Sequence, residues 1–389
     1  MRGFLRVGGV SALVMTCLAG GAQAAPDEAA PDRTAPAKAD ASRPPEAPAL
    51  TREAIEAAAP SPDAKSSPDA KLAPDAKPAA DTKRARGEAA KKADDTRPDP
   101  LLVKVQVLLD RAHFSPGAID GRDGENLRGA LSAFAVANGL PAATRLNAAL
   151  FEKLKATSTE PVTAEYTLTE ADAAGPYAAE IPAKMEKQAD LDALAYTSPA
   201  EMLAERFHMA RALLVALNPD KPLDKAGTVI LVAAVPALET GKPKPEDKAG
   251  KDVARVTVDK TTRHVRAFDK AGTLVAFYPA SIGSDEKPAP SGKTKVKGVA
   301  FAPDYTYNPK YAFKGVKTKE KFTIPPGPNN PVGVVWIDLA ISSYGIHGTP
   351  EPEKVGKTES HGCIRLTNWD ARSLALRIEP GAEVVFKDD

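Results

Sequence analysis

The sequence predicts a multidomain α+β protein, and three observations predict it. Apolar residues recur at helical spacing between residues 101 and 154, two shorter helical patterns lead into a strand between 198 and 232, and apolar–polar alternation takes over from Val253. A helical stripe and an alternating strand each bury one face, so this order implies a small helical module, a mixed α/β segment and a C-terminal mainly β domain. At 389 residues the chain has room for two or three such domains. Its 52 basic and 51 acidic residues leave a formal charge of +1, without the basic excess expected of a nucleic-acid binder.

Residues 1–24 read as a secretory signal: Arg2 and Arg6 precede an apolar run from Val7 to Leu18, and Ala22-Gln23-Ala24 supplies small residues for cleavage. The run is too short for a comfortable span and ends in Gly20-Gly21. No membrane span is expected after cleavage, and the expected location is the periplasm or the cell wall. Cys17 follows Met15-Thr16, which do not suit lipidation, and its removal leaves Cys363 as the sole thiol with no disulfide partner. Outside the cytoplasm a lone thiol is a liability unless it is buried or used. Residues 25–99 are rich in Ala, Pro, Lys and Asp, with the repeat Ser61-Pro-Asp-Ala-Lys65, Ser67-Pro-Asp-Ala-Lys71 and Ala73-Pro-Asp-Ala-Lys77. That composition cannot offset its own ordering entropy, so a disordered tether without a binding role is expected.

Residues 100–156 open with Leu102, Val105, Leu108 and Leu109 on one helical stripe. A turn-rich stretch from Phe114 to Gly124 follows, then Leu127, Ala130, Leu131 and Phe134 mark a second helix ending at Asn138-Gly139, and Asn147 to Leu154 a third. Asp120 and Asp123 lack the alternating ligands of an EF-hand and read as a turn. Residues 157–195 show no strong period and are taken as a connector. In 196–236, Ser198–Phe207 and Ala210–Leu217 are short helices, Asn218-Pro219 is a break and Thr228–Val232 a strand, with His208 as a packed or solvated side chain. Residues 237–252, containing Lys242-Pro-Lys-Pro245, are a linker. In 253–389, strands at Val253–Val258, His264–Phe268, Thr273–Phe277, Val332–Leu339 and Glu383–Phe386 predict a mainly antiparallel domain. Its one helix begins after Thr367 with Asp370 as a capping-box-like acid, and a cross-strand neighbour is expected to satisfy His264.

The chemistry concentrates in Tyr344-Gly-Ile-His347-Gly-Thr349 and Ser360-His361-Gly362-Cys363-Ile-Arg365, which hold two of the five histidines and the sole remaining thiol. His347 and Cys363 are 16 positions apart and meet if the intervening loop, with Pro350, Pro352 and Gly356, folds back. A thiol of ordinary pKa, about 8.5, is mostly protonated at neutrality and needs a base nearby. His347 suits that task and can return the proton to a leaving amine, and a thiolate–imidazolium pair would stabilise itself. Gly362 clears the approach, so the N–H groups of Gly362 and Cys363 can face a developing oxyanion. Ser360 and His361 are expected to support the site, with His361 orienting the loop or the substrate. Arg365 shares a face with Cys363 if the backbone is extended, and its planar fork either holds a substrate carboxylate or pairs with a surface acid. His347, His361 and Cys363 fall short of the four ligands of a structural zinc site, so neither metal nor cofactor is expected.

Beside this reading stand three resemblances. Val105-Gln106, Phe114-Ser-Pro-Gly117, Ile119-Asp120-Gly121, Gly124, Ala130-Leu131, Phe134 and Asn138-Gly139-Leu140 resemble the peptidoglycan-binding domain type 1 family, with Ala135 where that family often has Gln. The pattern of 196–236 resembles a degenerate LysM, a wall-binding module, with a structural spacer as the competing reading. The two chemical motifs, with Pro288-Ala-Pro-Ser-Gly292 and Pro325-Pro326-Gly327, resemble the YkuD-type L,D-transpeptidases from about Ala254 to Phe386. That resemblance implies a β-sandwich catalytic domain, no metal, and a Cys363 sensitive to carbapenems. It also implies that Cys363 attacks a peptidoglycan stem peptide between its diamino acid and the terminal D-alanine, and that an amine acceptor resolves the thioester into a cross-link. Many members carry Asn where Arg365 stands. Rival readings use a protein amine of an outer-membrane protein as acceptor, let water resolve the thioester, or reduce the chain to a non-enzymatic wall-binding scaffold.

Overall fold

The computed structural model describes residues 50–61, 97–244, 250–284, 287–311, 318–358 and 362–387. The expected signal and most of the expected tether lie outside these residues. The tether is corrected at one place, because α1 (Arg52–Ala57) is an ordered helix within it. Thr51 caps α1 by accepting from the Ala54 N–H, and Ile55 is wholly buried. The Glu56 carboxylate accepts from the N–H and hydroxyl of Thr163 at 2.8 and 2.6 Å, while Lys104 donates to the Glu56 carbonyl at 2.5 Å. So short a helix draws its stability from docking rather than from propensity, which is why composition hid it.

Helices α2 (Pro100–Arg111), α3 (Glu125–Ala137) and α4 (Ala148–Lys155) follow the predicted stripes. Asp99 caps α2 with Pro100 at its first position, and Asn147 caps α4. Phe114 and Phe134 meet edge to face at 5.3 Å in their shared core. The Asp120 cluster is a turn held by Gln106, whose amide donates to Asp120 and accepts from the Gly121 N–H.

The next unit comprises β1 (Thr163–Thr167), α5 (Glu170–Ala174), α6 (Met185–Gln188), α7 (Pro199–Arg206), α8 (Arg211–Leu217) and β2 (Val229–Ala233). β1 pairs antiparallel with β2, from Thr163 opposite Ala233 to Thr167 opposite Val229. Residues 157–195 are therefore more than a connector, since they supply the partner whose absence would leave the β2 backbone groups unpaired. His208 is packed: its ring stacks on Trp369 at 5.1 Å, and Nδ1 lies 3.0 Å from an Asp110 carboxylate oxygen.

In the C-terminal domain one nine-stranded sheet runs β5-β4-β3-β13-β7-β10-β11-β12-β6. Its strands are β3 (Val253–Asp259), β4 (His264–Phe268), β5 (Leu274–Pro279), β6 (Ser281–Ile282), β7 (Gly292–Phe301), β10 (Val335–Leu339), β11 (Gly345–His347), β12 (Ile364–Arg365) and β13 (Ile378–Lys387). A separate ribbon pairs β8 (Tyr305–Tyr307) with β9 (Phe322–Ile324). Most pairs are antiparallel, as alternation predicts, but β3–β13 and β11–β12 are parallel. Strand β7 is shared: its first residues pair with β13 and its later ones with β10, and buried side chains of β3, β13 and β10 join Val296 in one core.

Helix α9 (Asn368–Arg377) begins where expected, with the Thr367 side chain accepting from the Asp370 N–H. The Asp370 carboxylate, however, accepts from the Ser115 hydroxyl at 2.9 Å, which ties α9 to the helical module. His264 is also corrected, because its buried Nδ1 finds no hydrogen-bond partner among the described residues; its ring packs on Phe277 at 4.7 Å instead. The modules are not beads on linkers. The Phe277 carbonyl accepts from the Ser115 N–H and its N–H donates to the His113 carbonyl, both at 2.9 Å, and residues 48–389 form one compact unit.

Candidate active site

Parallel pairing of β11 with β12 sets Ile346 opposite Ile364 and His347 opposite Arg365. Cys363 immediately precedes β12, two residues before Arg365. His347, Cys363, Arg365 and Gly362 line one open cleft of about 1350 Å³, together with Tyr344 and Trp336.

His347 is buried, with Nδ1 2.6 Å from the Gly348 carbonyl oxygen. A carbonyl only accepts, so Nδ1 carries the hydrogen and Nε2 is left as the acceptor. Trp336, its cross-strand partner, stacks on the imidazole at 5.6 Å. Burial, aided by the Arg365 charge, holds the imidazole down at about 3, and burial pushes the Cys363 thiol up against the pull of the Gly345 N–H, Arg365 and Lys287. The resting pair is therefore neutral. A thiolate–imidazolium pair would then form only as the thiol proton moves, because a buried site beside a guanidinium penalises a second cation.

Arg365 lines the cleft, makes no ion pair among the described residues, and has a buried Nε without a hydrogen-bond partner. Of the two destinations open to it in sequence, neither is taken up among the described residues, although the Glu351 carboxylate in the same cleft exerts a favourable charge on it. Gly362 sits at φ 119°, a conformation that side chains rarely adopt. Ser360 and His361 lie outside the described residues.

Sequence reasoning missed the opposite wall. Ile181, Met185, Gln188, Thr197 and Glu201 line the same cleft. The loop between β9 and β10 is clamped onto that wall: Leu194 donates to the Pro326 carbonyl and accepts from the Asn329 N–H, both at 3.0 Å. The Asn329 amide donates to Glu201 at 3.2 Å, and any side chain at Gly327 would strike the Leu194 carbonyl. Tyr344 was also overlooked; its buried hydroxyl lacks a partner, and burial raises its pKa. Nothing local marked residues 181–195 as part of a cleft wall, and the helix read from Ser198 carried no such sign.

The family model for the L,D-transpeptidase catalytic domain, YkuD, matches residues 254–386. The putative L,D-transpeptidase YqjB of Bacillus subtilis is 32% identical over 139 residues, covering 34% of this chain and 71% of that protein. The chain belongs to the L,D-transpeptidase family. The putative L,D-transpeptidase YkuD of Bacillus licheniformis is 44% identical over 130 residues, 33% of this chain and 63% of that relative. The probable L,D-transpeptidase YbiS of Escherichia coli is 26% identical over 200 residues, 50% of this chain, which spans 61% of the YbiS length. The L,D-transpeptidase match contains β3 to β13 and every cleft residue except those contributed by 181–201.

Proposed function

We propose that this protein is an exported L,D-transpeptidase of the periplasm or cell wall, acting on peptidoglycan stem peptides with Cys363 as nucleophile and His347 as general base. The observation that carries the reading is the pairing of β11 with β12, which brings a thiol and a single-tautomer imidazole into one cleft. Nε2 takes the thiol proton as the sulfur attacks the carbonyl between the diamino acid and D-alanine. The same proton leaves with the D-alanine amine, the thioester remains on Cys363, and an amine of a second stem peptide resolves it into a direct cross-link. Backbone N–H groups at Gly362 and Cys363 stabilise the oxyanion, Ser360 and His361 support the loop, and Arg365 binds a substrate carboxylate. Family membership and the unpartnered Arg365 Nε support this assignment.

The helical module of residues 100–156 and the segment 196–236 serve as peptidoglycan-binding and LysM-like anchors in this reading. Intact-mass measurement after carbapenem exposure tests the nucleophile: the parent gains one adduct and Cys363→Ala gains none. An unmodified parent overturns the assignment. Incubation with stem tetrapeptides should then yield cross-linked dimers and free D-alanine.

A further inference from the structure

The unit from β1 to β2 lies outside the family match, yet one of its buried carboxyls reaches the support of His347. Glu205, near the end of α7, is 3% exposed, and its Oε2 accepts from the Asn368 amide at 2.9 Å. Asn368 is fully buried at the start of α9 and spends its whole side chain on its surroundings. Its nitrogen donates to Glu205 and to the Pro328 carbonyl at 3.2 Å. Its oxygen accepts from the Val334 N–H at 3.2 Å and from the Thr349 N–H at 3.1 Å. Four bonds of fixed polarity leave the amide one orientation.

The Thr349 N–H and the Gly348 carbonyl are the two ends of one peptide group. Asn368 holds one end, and the other accepts from His347 Nδ1. Side chains at Gly333 or Gly348 would collide with the Asn368 oxygen, so the amide packs straight onto backbone.

We propose that Glu205 is a positioning residue for His347, acting through Asn368 and the Gly348–Thr349 peptide group. Without the Glu205 acceptor, one Asn368 N–H is orphaned in a dry site and the amide loses a bond that fixes its polarity. The peptide it pins is then free to tilt, and the imidazole loses the acceptor that selects its tautomer. Burial pushes the Glu205 carboxyl up to about 8, so glutamine mimics its neutral form closely. The accessory unit is thereby part of the catalytic apparatus rather than only an anchor. This inference rests on the reading of His347 as the base.

The test uses the full chain and three variants, Glu205→Ala, Glu205→Leu and Glu205→Gln, with thermal unfolding to confirm folding. Carbapenem acylation of Cys363 should slow roughly ten- to a hundredfold in the Ala and Leu variants, the scale of a small misplacement of a reacting group. Glu205→Gln, whose carbonyl still accepts from Asn368, should retain the parental rate. Imidazole nitrogen NMR should show His347 protonated at Nδ1 in the parent and in Glu205→Gln, and a tautomer mixture in Glu205→Ala. A normal parental rate with no slowing and no tautomer change in Ala or Leu overturns the positioning role, as does failure of glutamine to rescue. A parent that is never acylated, but whose tautomer responds to Glu205→Ala, keeps the positioning role and sinks the proposed function instead.

Discussion

Two regions only a few residues apart treat their polar groups in opposite ways. Around Asn368 both ends of a side-chain amide are bonded, and the backbone presses so close that no side chain fits at Gly348. In the cleft beside it, the Arg365 Nε and the Tyr344 hydroxyl are buried without hydrogen-bond partners among the described residues. Unmet polar groups cost free energy, so they persist where something else is to meet them, and met ones persist where movement would be harmful. The contrast separates a frame from a receptor.

The largest effect that tests this division is His347→Gln, which should slow Cys363 acylation by about 10²- to 10⁴-fold, the usual weight of a positioned base. Stopped-flow Trp fluorescence with mass detection measures it, and an undiminished rate removes His347 from the mechanism. Next comes Arg365→Ala. Donors with a free carboxylate should lose roughly tenfold or more in kcat/KM while amidated donors are unaffected, as fits a lost charge-assisted pair. Equal losses on both donors would place Arg365 in the frame rather than the receptor.

Ile55→Ala probes the frame far from the cleft. The wholly buried side chain should cost about 2–5 kcal/mol in denaturant unfolding, with the acylation rate of the folded protein unchanged. The smallest expected effect is a flat line. His347 held at about 3 stays unprotonated through neutrality, and a thiol pushed up stays protonated. Acylation should therefore show no inflection between about pH 5 and 8, the range in which an ordinary histidine titrates. A clear step near 6.5 would instead mark His347 as an imidazole that titrates in the ordinary range.

The cleft residues His347, Cys363 and Arg365 were legible as candidates because their motifs are local strings of residues whose chemistry is carried by type and spacing. The helices of 100–156 and the strands from Val253 were legible for a different reason, since periodicity records which face is buried. What escaped was contact between remote segments. Ile55 sits in a stretch of tether composition, and β1 is written Thr-Ala-Glu-Tyr-Thr, too polar to announce a strand. Residues 181–195 carry no strong period and the helix read from Ser198 does not announce its neighbour, so the place of 181–201 in the cleft wall depends on the clamp at Leu194 and Asn329. Asn368 was hidden differently. Its position after Thr367 reads as a helix start, and nothing local says that its amide braces a loop.

The parallel register of β11 and β12 also explains a number in the sequence. Neighbouring strands that run the same way cannot be joined by a tight reversal, and the chain must travel back along its own length, which takes about a dozen residues or more. The chain makes that return between His347 and Ile364. The interval between the imidazole and the sulfur is thus set by a path length, and a deletion of half of it would leave room only for a hairpin, turning the second strand end for end and carrying Cys363 away from His347.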